Sequence, residues 1–148
     1  MPLNTCEFRI GRLMEIRVAA GYRSPTDVDE MIQMMVDRVS KLPADQKYVI
    51  AADWRSVTVM SPETATRVRT MLSRANARVE RSSILTSADQ STANLQVERL
   101  VREAENENRR HFVNARDQYK WLSEVLTPIE SRRLSDFLGL TGRSIAPY

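Results

Sequence analysis

Glycine is scarce in this chain: four in 148 residues, at Gly11, Gly21, Gly139 and Gly142. That count argues against an all-β architecture rich in tight turns and against a glycine-rich phosphate loop. Cysteine is scarcer still. Cys6 stands alone, which excludes an internal disulfide and any cysteine-cluster metal site. The single histidine, His111, follows Arg110 within a strand-like segment. A nucleophile needs a partnered base in defined geometry, and a lone strand histidine reads as structural or surface. Carboxylates are not clustered for a metal either. Asp27, Asp29 and Glu30 open a helix, where they suit its dipole, and Glu103, Glu105 and Glu107 splay around another. No metal or other cofactor is expected. No apolar run reaches the roughly 20 residues that span a bilayer, and MPLNTCEFRIGRL contains no apolar segment of signal-peptide type. The expectation is a cytoplasmic protein with no membrane association.

What is present is ordinary for a globular domain: 42% hydrophobic residues, 28% charged residues and a length that fits one domain with a substantial core. The net charge of +3 is too weak to imply nucleic acid. Arginine supplies most of the positive charge. Arg67, Arg74 and Arg78 share helical spacing, yet no aromatic residue interleaves with them, and the pattern reads as a solvated face.

The hydropathy pattern alternates between strand and helix periods. CEFRI (6–10) and LMEIRVA (13–19) show period two around Gly11-Arg12 and predict a β-hairpin. Val28, Ile32, Met35, Val39 and Leu42 recur at helical spacing behind a Ser24 cap and Pro25. KYVIAAD (47–53) is a short, almost continuous apolar run, as in a parallel strand buried on both faces. A helix from Pro62 follows, with Ala65, Val68, Leu72 and Ala75 in one stripe. RSSIL (81–85) reads as a strand. Ser87 with Gln90 forms a capping-box pattern ahead of a helix carrying Val97, Leu100, Val101 and Ala104. HFV (111–113) is a short strand, and 115–126 a helix with Ala115, Tyr119, Leu122 and Leu126 on one face. Thr127-Pro128-Ile129-Glu130 opens a last helix through Leu138, with Gly139 as its C-terminal cap and a frayed tail at 143–148. The order ββαβαβαβαα predicts a single α/β domain: a mixed, mostly parallel sheet of four or five strands with helices packed on it.

Two neighbouring features are the functional candidates. Asp53, Trp54 and Arg55 end the buried strand, where ligands bind in open α/β sheets. The alternative for Trp54 is a ring that covers the sheet end. In VTVMSPETATRVRTML (57–72), a strand-like run through Val59 and Met60 is followed by Ser61, which caps a helix whose first turn suits negative charge.

The element order, and YVIAADWRSVTVMSPETATRVRTML (48–72) in particular, resemble the STAS domain of the bacterial anti-sigma-factor antagonists (the SpoIIAA-like fold). The family motif is of the type V-x-F-M-D-S-S-G, and Val57, Val59 and Met60 match its apolar part. Laid without a gap, Ser61 falls on the family aspartate, Pro62 and Glu63 on its two serines, and Thr64 on its glycine. The second serine is the one phosphorylated in switchable members, so Glu63 removes that switch unless Ser61 or Thr64 takes it over. The resemblance covers about residues 6–126, and 127–142 extend beyond the minimal domain. It implies a non-enzymatic interaction module of bacterial signalling, with a protein partner at Asp53, Trp54, Arg55, Ser61, Glu63, Thr64 and Arg67. Two alternatives stand beside it. One is a binder of a small anion or nucleotide at the strand ends. The other is a homo-oligomeric scaffold, a homodimer for instance, joined through the methionine-rich helix of Met31, Met34 and Met35.

Overall fold

A computed structural model describes residues 3–74 and 77–140. Ala75, Gly142 and the tail at 143–148 lie outside the described residues. One sheet contains strands β1 (Asn4–Phe8), β2 (Leu13–Val18), β3 (Tyr48–Asp53), β4 (Val79–Leu85) and β5 (Arg109–Phe112). Their spatial order follows chain order, with β1 antiparallel to β2 and the rest parallel. Helices α1 (Pro25–Ser40), α2 (Pro62–Ser73) and α3 (Ser91–Glu103) link the parallel strands, and α4 (Ala115–Ser123) and α5 (Pro128–Leu138) follow the last one. The chain is therefore an α/β protein with a mixed, mostly parallel sheet, as its pattern predicts.

Parallel crossovers are right-handed, so a sheet growing steadily in one direction places its crossover helices on one face. On that face Met14, Ile16 and Val18 of β2 and Ile50 and Ala52 of β3 pack with Val28 and Met31 of α1, Val68 and Leu72 of α2, and Val97 and Leu100 of α3. The alternate residues Leu13, Val49, Ala51 and Leu85 point the other way and pack with Trp121 and Leu122 of α4 and Leu134, Phe137 and Leu138 of α5. The segment after residue 126 thus supplies part of the second core.

Several local expectations are corrected. β1 stops at Phe8 and β2 starts at Leu13, so four residues connect them rather than two. Ile10 leaves the strand and is exposed, and Gly11 takes φ +58°. A side chain at Gly11 would run into the Glu130 carboxylate, so the close approach of α5 requires glycine there. Residues 57–60 form a loop, not a strand end. The Ser87–Gln90 capping box does not form. Ser87 instead donates to Asp89, and its carbonyl accepts from Asn94 at 2.8 Å, so the helix begins only at Ser91. Ser24 precedes Pro25 but makes no side-chain cap bond, whereas Thr127 and Glu130 form a complete capping box. The helix predicted to reach residue 126 ends at Ser123. Thr127, held extended before Pro128, already belongs to the next helix start. The three methionines of α1 face inward: Met31 is buried, and Met34 and Met35 pack partly buried on the same core.

Candidate functional site at the end of β3 and the start of α2

β3 delivers Asp53 and Trp54 to the carboxyl end of the sheet. Trp54 is only 2% exposed and meets Tyr22 edge-on, with ring centroids 5.4 Å apart. Its backbone N–H donates to the Leu85 carbonyl at 2.7 Å. The ring covers the sheet end, and offers no face to a ligand. Asp53 is buried as well. Its carboxylate accepts from Arg17 Nη1 at 2.6 Å, from the Arg55 backbone N–H at 3.1 Å, and from Arg55 Nε and Nη2 at 3.0 Å each. Four N–H groups occupy its acceptor sites, which leaves none turned to a ligand. The carboxylate also holds the Arg55 guanidinium above its ordinary pKa, mainly through these hydrogen bonds.

The premise of a strand-end crevice also changes. Ligand crevices of open α/β sheets form where strand order reverses. Here the order runs β1 to β5 without reversal.

The following loop is held from beneath. Trp54, Val57 and Met60, every third residue, are buried. The Gln96 amide of α3 grips Met60 twice, accepting from its N–H at 2.8 Å and donating to its carbonyl at 3.0 Å. Between these anchors Arg55, Ser56, Thr58 and Val59 face solvent, and Val59 is 54% exposed. At the helix start Ser61 Oγ accepts from the Thr64 N–H at 3.3 Å and donates to Thr64 Oγ1 at 2.9 Å. Ser61 therefore caps α2, as its sequence context predicts. Glu63 is exposed in the first turn, where its charge suits the helix dipole. Thr64 is 0% exposed. Arg67 lies one turn further along the exposed side, with Nε 3.4 Å from Asp29 of α1.

The seven candidate residues thus divide. Arg55, Ser61, Glu63 and Arg67 share an exposed flank, whereas Asp53, Trp54 and Thr64 are corrected to interior positions. Thr64 cannot stand in for a phosphorylatable serine in the folded state, because its hydroxyl is enclosed.

Sequence reasoning missed one polar constellation. His111 Nε2 lies 2.6 Å from Thr86 Oγ1, and its Nδ1 lies 4.0 Å from Glu98 Oε1. Hydroxyl, imidazole and carboxylate follow one another as in a hydrolytic triad. Thr86 is buried, however, and no substrate carbonyl can reach it. The pair acts as a latch between β4 and β5, and burial pulls the histidine pKa below its ordinary value. Only the pairing of Ile84 with His111 in the sheet brings the two residues together, so no local signal existed. Cys6 is buried too, and desolvation pushes its thiol up to about pKa 12. Among the described residues, no group of three or more His, Cys, Asp or Glu is arranged to hold a metal, and no helix is long and apolar enough to cross a membrane.

Fold and site together define a class: a singly wound α/β protein whose β3–α2 loop is anchored from below and exposed above. No family model matches the chain, and neither a curated protein nor a solved structure does.

Proposed function

We propose that this chain is a non-enzymatic protein-interaction module of the regulatory kind that the STAS resemblance implies, and that its partner docks on the exposed flank of residues 55–67. The observation that carries this reading is the anchoring of the loop. Buried Trp54, Val57 and Met60, with the Gln96 clamp, fix the outward residues before any partner arrives. Preorganisation lowers the ordering cost of association, and exposed Val59 provides apolar contact beside the charges of Arg55, Glu63 and Arg67. Glu63, where the resemblance puts a phosphorylatable serine, gives the flank a fixed negative charge, so binding is constitutive rather than switched. The anion-binding alternative has less support, since Arg55 is engaged by Asp53 and Ser61 caps the α2 terminus.

The test is site-specific photo-crosslinking in cells, with the crosslinking residue at position 59 and, as control, at exposed Leu95 on α3. A discrete adduct is expected from position 59 alone, and Glu63→Arg is expected to abolish it. Equal adducts from both positions, or an adduct indifferent to Glu63→Arg, would move the interface elsewhere.

A further inference from the structure

At the amino ends of β3 and β4, away from the loop just described, a cavity of about 310 Å³ opens between α1 and α2. Ile32, Met35, Met71 and Val79 provide apolar wall, and two guanidinium groups, Arg74 and Arg109, complete it. The volume is at the lower end of the range for small-molecule sites. Unbranched, polarizable methionines on facing helices adapt to varied apolar shapes.

The charge at this cavity is unbalanced. Arg109 is half-buried, and its hydrogen bonds run to two neutral oxygens, the Leu72 carbonyl at 2.5 Å and the Ser82 hydroxyl at 3.4 Å. Among the described residues neither Arg109 nor Arg74 forms an ion pair. By contrast, the partly buried Arg12, Arg81 and Arg133 each reach a carboxylate. Capping the α2 C-terminus is part of what Arg109 does, but a helix end carries only about half a negative charge. Even with the end of α1 at Ser40 added, two guanidinium groups leave roughly one positive charge over. A half-buried positive charge without a counter-ion is costly, and an anion entering the cavity would relieve that cost.

We propose that this cavity binds a small amphipathic carboxylate, with a short acyl chain or ring between α1 and α2 and the carboxylate directed to Arg109 and Arg74. The apolar walls exclude a purely ionic ligand such as free phosphate, and the two arginines select against a neutral or cationic amphiphile.

The full chain is titrated with octanoate and, separately, with octanol, following backbone amide resonances and heats of binding. Saturable octanoate binding is expected, with shifts centred on Ile32, Met71 and Val79, and octanol is expected to bind about tenfold or more weakly. Arg109→Gln should lower octanoate affinity to the octanol level and leave octanol unchanged. Because Arg109 also caps α2, a second variant is included: Ile32→Trp fills the cavity while keeping both arginines, and should abolish binding of both probes. Absence of saturable octanoate binding, equal affinities for the two probes, or shifts outside the cavity would each overturn the proposal.

Discussion

The two faces of the sheet are built in different ways. The α1–α3 face is an extended apolar core finished by edge-on aromatic pairs, Phe8 with Tyr48 and Tyr22 with Trp54. The α4–α5 face has a smaller core surrounded by arginine clamps. Arg133 grips Glu15 through two bonds of 2.7 Å, Arg17 donates to the Phe137 carbonyl and stacks on its ring at 4.4 Å, and Arg81 donates to the Trp121 carbonyl and to Glu124. Arg12 adds its backbone N–H to the Glu130 carboxylate and its guanidinium to Glu80 and the Val125 carbonyl. Connectivity explains the difference. A crossover helix is tied at both ends to neighbouring strands, so burial does most of the positioning, with added bonds such as the Gln96 clamp of α3 and the Arg109 cap of α2. No strand follows α4 and α5 among the described residues, and directional hydrogen bonds specify where they lie.

The largest expected effect is on the crossover face. Met31→Ala empties a fully enclosed site and should cost about 3–4 kcal/mol in urea denaturation. A cost below about 1 kcal/mol would show that this core collapses around the gap, and would break the contrast between the faces.

The clamp face should respond less, and in a diagnostic way. Among the described residues, Arg133→Met leaves Glu15, 4% exposed, with only Arg9 at 3.8 Å. We expect a loss of about 2 kcal/mol, less than for a fully enclosed pair because water reaches this rim. Adding Glu15→Leu should recover most of that loss, since a clamp that specifies position need not add net stability. A double variant as unstable as the single one would mean that the ion pair itself holds α5.

The smallest effect concerns the latch at the sheet edge. Burial keeps the pKa of His111 below 6.5 in the folded protein, so the unfolded chain binds its proton first as pH falls. Stability from this group is complete above pH 6.5 and is lost progressively below it, as the folded-state pKa is approached. The His111→Gln variant should lose less stability than the wild type between pH 7 and pH 5. Superimposable pH profiles would show that the imidazole environment does not differ between the folded and unfolded states.

Much of the architecture was legible in local pattern. The second period-two run, the buried KYVIAAD segment and the Thr127–Glu130 capping box each carry their own physical cause within a few residues and form as expected, whereas the first run gives a strand that ends two residues early, at Phe8. The candidate site was less legible. Ser61 could be read as a cap from its neighbours alone, but the burial of Asp53, Trp54 and Thr64 depends on Arg17, Tyr22 and the overlying chain. In the same way Glu15, Arg17 and Arg81 occupy strand positions that look solvent-facing, because a polar residue in an alternating pattern carries no mark of its distant partner.

By itself, then, the sequence determined the order and type of the elements, since hydrophobic period, caps and proline placement act over one or two turns. Which polar residues face water was decided only by the tertiary structure. Two helices fold back over the second face of the sheet, where Arg133 pairs with Glu15 across 118 residues of sequence, and Asp53 is held by Arg17, 36 residues away, together with its near neighbour Arg55. Charges can be brought inside in that way only when the pairing geometry is already built, and that geometry belongs to the assembled fold.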